Sequence, residues 1–354
     1  MKTRLPALLL FALCAMPAAS FAALPQVLTQ PAIQGPQALR AVLQDVTRAG
    51  ERLVAVGERG VVLLSDDNGE HWRQAEVPVS VTLTAVQFVD ERQGWAVGHA
   101  GVVLHSDDAG EHWTLQLDGL RAAELEQQAA QHSGDEARIY AADRLVADGA
   151  DKPLLALHFS DARHGLVIGA YGLALRTEDG GASWQSWFGQ IPNPQGLHLY
   201  AVAQQGTNVY IAGEQGLLLR SADGGASFTA LASPYEGSFF SAAVLPGGRL
   251  LVGGLRGNLF ASDDQGESFQ ALPLRAPISL SQINVLDDRL LLVNQAGQVL
   301  RSDLGHFAPQ ALPLPPGAPL TAVAEAADGS LIAVGLGGAL RVPSPPAASE
   351  IRAE

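Results

Sequence analysis

SDDNGEHW, residues 65–72, returns four times along the chain, as SDDAGEHW (106–113), TEDGGASW (177–184), SADGGASF (221–228) and SDDQGESF (262–269). All five read Ser/Thr-x-Asp-x-Gly-x-x-aromatic. Each follows an apolar run entered through a glycine turn: GERGVVLL, GHAGVVLH, GAYGLALR, GEQGLLLR and GLRGNLFA. A sixth copy is worn down to NQAGQVLR and SDLGHF, and a seventh keeps only its first half, GLGGALRV (335–342). The second turn glycines, Gly60, Gly101, Gly172, Gly216, Gly257, Gly297 and Gly338, fall at steps of 41, 71, 44, 41, 40 and 41 residues. A fixed period of about 40 residues is the mark of an array of small β units.

Each period reads as four short strands. The first is a run such as LTAVQFVD (83–90), the second an LVAVG-like run before the glycine turn, the third VVLL or LLLR, and the fourth starts at the box aromatic. The second run is apolar at nearly every position, which a half-exposed strand would not be, so both of its faces are buried. Radial packing of four-stranded antiparallel sheets achieves that without long open edges. The expected fold is all-β, a seven-bladed β-propeller over residues 23–342. The last period has three strands and no box. PQVLTQPAIQ (25–34) is expected to supply the missing outer strand, its prolines suiting an edge. The long step holds about 30 extra residues, rich in Ala, Glu and Gln, inside 118–152. Residues 120–130 and 137–146 favour helix, with Ile139, Ala142, Leu145 and Val146 on one stripe. This predicts a helical insertion between blades two and three, on a loop of the kind that carries function.

The N-terminus has basic Lys2 and Arg4, an apolar core LPALLLFALCAM (5–16), then small residues. That pattern is a secretory leader, residues 1–22, cut after Ala22. Export to the periplasm follows as an expectation. The single cysteine, Cys14, lies in the leader, so a large core rather than disulfides must hold the exported chain. No other apolar run approaches the ~20 residues that cross a bilayer, so no membrane insertion is expected once the leader is gone. The tail PSPPAASEIRAE, residues 343–354, reads as disordered. With 22 basic against 36 acidic residues, net charge −14, the chain lacks the basic balance of a nucleic-acid binder. It is read as a monomer.

The box is turn chemistry. Its third-position acids, Asp67, Asp108, Asp179, Asp223 and Asp264, can accept backbone N–H bonds from their own turns. Gly69, Gly110, Gly181, Gly225 and Gly266 permit a backbone angle other residues resist. Trp72, Trp113, Trp184, Phe228 and Phe269 pin each turn on the blade core. None of these is placed to react with a substrate. The nine histidines show no ligand-pair spacing, and no glycine loop joins a strand to a helix. Catalytic, cofactor and metal residues are therefore all read as none. A glycosidase would need converging arginines, a Tyr–Glu pair and an acid. Arg176, Arg220, Arg301 and Arg341 instead repeat with the period, and Tyr235–Glu236 is an isolated pair. What remains is binding. The turns between second and third strands vary while their glycines stay, which makes Glu58, Arg59, His99, Tyr171, Glu214 and Arg256 candidate partner-binding residues. Ile139 and Leu145 are candidates on the insertion, and the aromatic loop WFGQIPNPQGLHLY (187–200) is a further one.

The box resembles the Asp-box (BNR) repeat of sialidases, some glucanases and sortilin-type receptors. Blade count, spacing and leader make residues 38–342 most similar to the photosystem II stability/assembly factor-like family, in its non-photosynthetic bacterial branch. That resemblance implies a non-catalytic seven-bladed propeller, exported to a lumen or periplasm. It implies as partner a membrane-protein complex, such as a transporter of the resistance-nodulation-division type. A sialidase-like hydrolase and a ligand-binding propeller are the alternatives.

Overall fold

The computed structural model describes residues 25–343; the expected leader (1–22) and the tail from 344 onward lie outside them. Blade one consists of Leu43–Ala49, Arg52–Gly57, Val62–Ser65 and Arg73–Gln74, paired in chain order and antiparallel. Five more four-stranded sheets repeat that plan, and the seventh has three strands: Leu320–Glu325, Leu331–Gly335 and Gly338–Val342. The second strands are buried almost throughout, as in Gly94–Gly98 and Leu331–Gly335.

The core is divided into seven clusters, each shared by two neighbouring blades. First strands line the central channel and are stitched to their neighbours by side chains. Thr84 Oγ1 donates to Leu154 O (2.7 Å), Ile283 N to Ser241 Oγ (2.8 Å) and Val323 N to Gln282 Oε1 (2.8 Å). Such bonds satisfy polar groups that radial packing would otherwise leave unpaired.

The ring closes differently from the expectation. Residues 25–34 hold a short helix, α1 (Gln26–Thr29), and no strand. Leu28 and Ala32 are buried in the cluster between blades one and two, and Ala32 N donates to Val77 O at 3.0 Å. Burying two apolar side chains there outweighs pairing with blade seven. Blades seven and one instead meet face to face without a shared strand. Leu53, Ala55 and Leu63 pack on Ile332 and Val334, Thr321 Oγ1 donates to Leu43 O (3.0 Å), and Arg341 Nε donates to Asn68 O (3.0 Å).

The insertion is a pair of helices, α2 (Gly119–Ser133) and α3 (Glu136–Asp148), capped by Asp118 and Asp135. α2 seats on the turn of blade two. A Cβ at Gly101, where φ is +66°, would lie 2.6 Å from Gly119 Cα, so only glycine fits there.

Candidate partner-binding face

The two ends of the ring differ in what they leave free. At one end lie the five boxes, and their polar groups are satisfied internally. Ser65 Oγ donates to Asp67 Oδ1 (2.8 Å) and accepts from Gly69 N (2.8 Å), while His71 N donates to Asp67 Oδ1 (2.9 Å). The same set recurs at Asp108, Asp179, Asp223 and Asp264. The His71 backbone N–H holds the Asp67 carboxyl down to about 2, and the hydroxyls of Ser183 and Ser268 do the same for Asp179 and Asp264. Asp108 is also lowered: burial works against it, and the bonds from His112 and Ser106 prevail. Each aromatic packs into the interface with the preceding blade, as Trp184 does in the cluster that holds Trp95, Val97 and Val103 of blade two.

At the other end lie the second-to-third-strand turns and the insertion. All seven turns dock in one way: the first turn residue donates its N–H to the carbonyl just before its own blade's first strand, as Glu58 N does to Val42 O and Leu336 N to Pro319 O. Glu58 and Glu214 go further, since each carboxylate accepts that same residue's N–H (3.1 Å). Of the sequence candidates, these two are tied into the fold. Arg59, His99, Tyr171 and Arg256 are exposed. Arg59, Tyr171 and Arg256 have left-handed backbone, φ 56° to 57°, which turns their side chains out at the rim.

Tyr171, 58% exposed, starts an aromatic arc that sequence reading reached only in part. Its ring meets His198 (4.7 Å), His198 meets Tyr200 (6.0 Å) and Tyr200 meets Phe240 (5.3 Å), all edge-on. Lys152 Nζ sits 5.1 Å over the Tyr171 ring, and Tyr171 N donates to His198 Nδ1 (3.1 Å). Burial raises the Tyr200 hydroxyl and the nearby Glu214 adds to it, so Tyr200 stays a neutral donor. The arc runs from the rim of blade three into the channel, a cavity of about 310 Å3 lined by first strands of all seven blades. His198 and Tyr200 lie in the loop singled out from sequence, but its Trp187 is held inside: Nε1 donates to Gly225 O (2.7 Å) and Arg176 covers the ring. Phe240 had a signal, a large aromatic where other first strands carry Gln44, Thr84, Ser281 or Thr321.

In the channel wall, Asp45 accepts from Val46 N (2.9 Å) and Val86 N (3.0 Å). Crowding by the first strands outweighs those two bonds and pushes its carboxyl up to about 7. On the insertion, Glu126 is buried; Arg138 grips it through two bonds (2.8 and 2.9 Å) and the Ser186 hydroxyl donates a third. Ile139 and Leu145 are half-buried, and the apolar groups offered to solvent are Tyr140 (68%) and Val146 (37%).

Of the residues a hydrolase would need, Tyr235, Arg176 and Arg341 are engaged within the fold. Tyr235 lies among Phe239 and Phe260, Arg176 over Trp187, and Arg341 on Asp328. Among the described residues no group of three or more His, Cys, Asp or Glu is placed to hold a metal ion.

The family described as photosynthesis system II assembly factor YCF48 matches residues 64–152 and 141–236. Comparison with curated proteins gives no match. Among solved structures, a YCF48 bound to a D1 peptide is similar at 17% identity, with TM-score 0.64, covering 89% of this chain and 97% of that one. YCF48 from Cyanidioschyzon merolae is similar at 16% identity, with TM-score 0.61 and coverages of 86% and 96%. The WD40 β-propeller domain of Doa1 is similar at 12% identity, with TM-score 0.64 and coverages of 91% and 97%. At these identities the likeness carries the fold.

Proposed function

We propose a function from the premise that this chain belongs to the photosystem II assembly-factor, YCF48-like, repeat family: it is an exported, non-catalytic scaffold that docks a membrane-protein partner on the turn end of its ring. The observation that carries the reading is the contrast between ends. Box groups are bonded within their own turns, whereas the turn end presents Tyr171, Arg59, Arg256 and the insertion's Tyr140 to solvent. Exposed aromatics and arginines are the residues that anchor protein interfaces. The leader-like N-terminus supports a periplasmic location, and the similar structure of a YCF48 bound to a D1 peptide supports a docking role. A transporter of the resistance-nodulation-division type is the partner we favour.

Crosslinking pull-down from isolated envelopes tests this, with the intact chain compared against one lacking residues 118–151. A membrane protein captured by the intact chain and lost from the deletion makes the insertion the docking arm. Equal capture places the interface on the turns, and no membrane protein at all sinks the reading. A second reading has one observation behind it, the Tyr200–Phe240 wall of the channel. It predicts that a small aromatic ligand shifts those two residues' NMR signals, and an unresponsive channel dismisses it.

A further inference from the structure

We infer that the open edge of blade seven is a strand-addition site, taken by an extended segment of a partner protein that carries a large apolar residue just ahead of its pairing residues. The inference rests on the partner-binding reading only for the source of that strand.

The third strand of blade seven, Gly338–Val342, pairs with Leu331–Gly335 on one side and with nothing on the other among the described residues. In the other six blades that other side is covered by a fourth strand. A strand edge with free N–H and C=O groups is a template for an incoming chain.

The same blade lacks a second part. Six of the seven interblade clusters receive an aromatic from the box region of the following blade: Trp72, Trp113, Trp184, Phe228, Phe269 and Phe307. The cluster between blades six and seven has no aromatic among the described residues, and Leu286, Leu312, Leu314 and Val342 remain half-buried at its margin. A separate apolar groove of about 200 Å3 lies open at the opposite, turn end of this interface, beside Pro315, Leu320 and Leu340.

The chain itself shows what fits such an edge. In blade five, Phe269 enters the interface, Gln270–Ala271 pairs with the third strand, and Leu272 N donates to Leu259 O (2.8 Å). Among the described residues, blade seven has every strand except this one. The segment lying against that strand, Pro36–Arg40, is a 3-10 turn whose Ala38 packs with Ala41 and Ala339 in the cluster between blades seven and one, without a backbone bond to 338–342. Residues 25–34 are bonded on the far side of blade one, with Ser80 N donating to Val27 O (2.9 Å) and Gln34 Nε2 to Ala75 O (2.9 Å). The tail beyond residue 343 contains no aromatic and three prolines in its first four positions, counting Pro343. A partner strand therefore fits the vacancy better than any of these.

The probe is a synthetic peptide, GESFQALPL, copying residues 266–274, added in excess to the intact chain. Binding should slow amide exchange in 338–342 and leave the other third strands unchanged. Replacing the peptide's Phe by Ser should weaken binding about tenfold, the loss expected for one buried aromatic. No binding, protection elsewhere, or equal affinity of both peptides overturns the site. Binding that appears only after residues 344–354 are removed also overturns it, because the edge then belongs to the chain's own tail. A dimer in solution that the peptide dissociates would assign the edge to a second copy, with the same consequence. If the peptide docks but envelopes yield no membrane protein, the site stands and the proposed function falls. Envelope capture without peptide docking removes the site alone.

Discussion

The box end and the turn end of this ring are built from the same repeat and answer to different constraints. At the box end Ser/Thr, Asp, Gly and aromatic recur because each turn must satisfy its own buried hydroxyl and seal the interface before it. At the turn end the recurring hold is backbone to backbone, with one bond per blade from the first turn residue to the carbonyl ahead of the first strand. The side chains there are free to differ, and the aromatic arc, the arginines and the insertion accumulate where they do. A repeat protein can thus keep its fold at one end and vary its surface at the other.

The comparison breaks first on a tryptophan. Trp184→Ala removes a buried ring from the interface of blades two and three and should cost about 3–5 kcal/mol in chemical denaturation. Partner capture per folded molecule should not change. A loss of capture without a loss of stability would put function at the box end.

A similar cost is expected from Arg138→Ala, but confined to the insertion. It strands the buried Glu126 carboxylate, and breaking such a pair costs about 3–5 kcal/mol. Hydrogen exchange should accelerate in α2 and α3 and not in the blades. Acceleration throughout the ring would mean that the insertion is part of the core.

The carboxylates separate the box end from the channel by pH. Unfolded Asp67, Asp179 and Asp264 titrate near 3.8 and folded near 2, so their contribution to stability is present above 3.8 and lost as pH falls through 2. Asp45 has the opposite sign. It moves from 3.8 to about 7 on folding, so its contribution is complete below 3.8 and lost as pH rises through 7. Asp45→Asn should remove the downward slope of stability between those values and leave the acid limb intact. A carboxyl signal for Asp45 that titrates near 3.8 would contradict this.

Much of this was legible in the sequence. Period, blade count, box chemistry and the two inserted helices follow from spacing and composition, because each is a local rule repeated. The ring closure was not legible. Residues 25–34 carry prolines and apolar residues that suit an edge strand as well as a cleft, and Leu28 and Ala32 choose the cleft only because blades one and two form it. The aromatic arc was half legible: Tyr171 stood out in its turn, but His198, Tyr200 and Phe240 belong to other blades, and only the ring brings them together. Glu58 and Glu214 looked free for the same reason, since their partners Val42 and His198 are 16 residues away in sequence.

The smallest effect on stability should come from Tyr171→Ala, within about 0.5 kcal/mol for so exposed a side chain. Its effect on binding should be at least about tenfold if Tyr171 anchors the interface. The most direct test of the account places a photocrosslinking amino acid at Tyr171 in one protein and at His71 in another, and irradiates both in intact envelopes. Adducts to a membrane protein from position 171 and none from position 71 are the predicted result. Adducts from position 71, or from neither, would contradict a scaffold that works through its turn end.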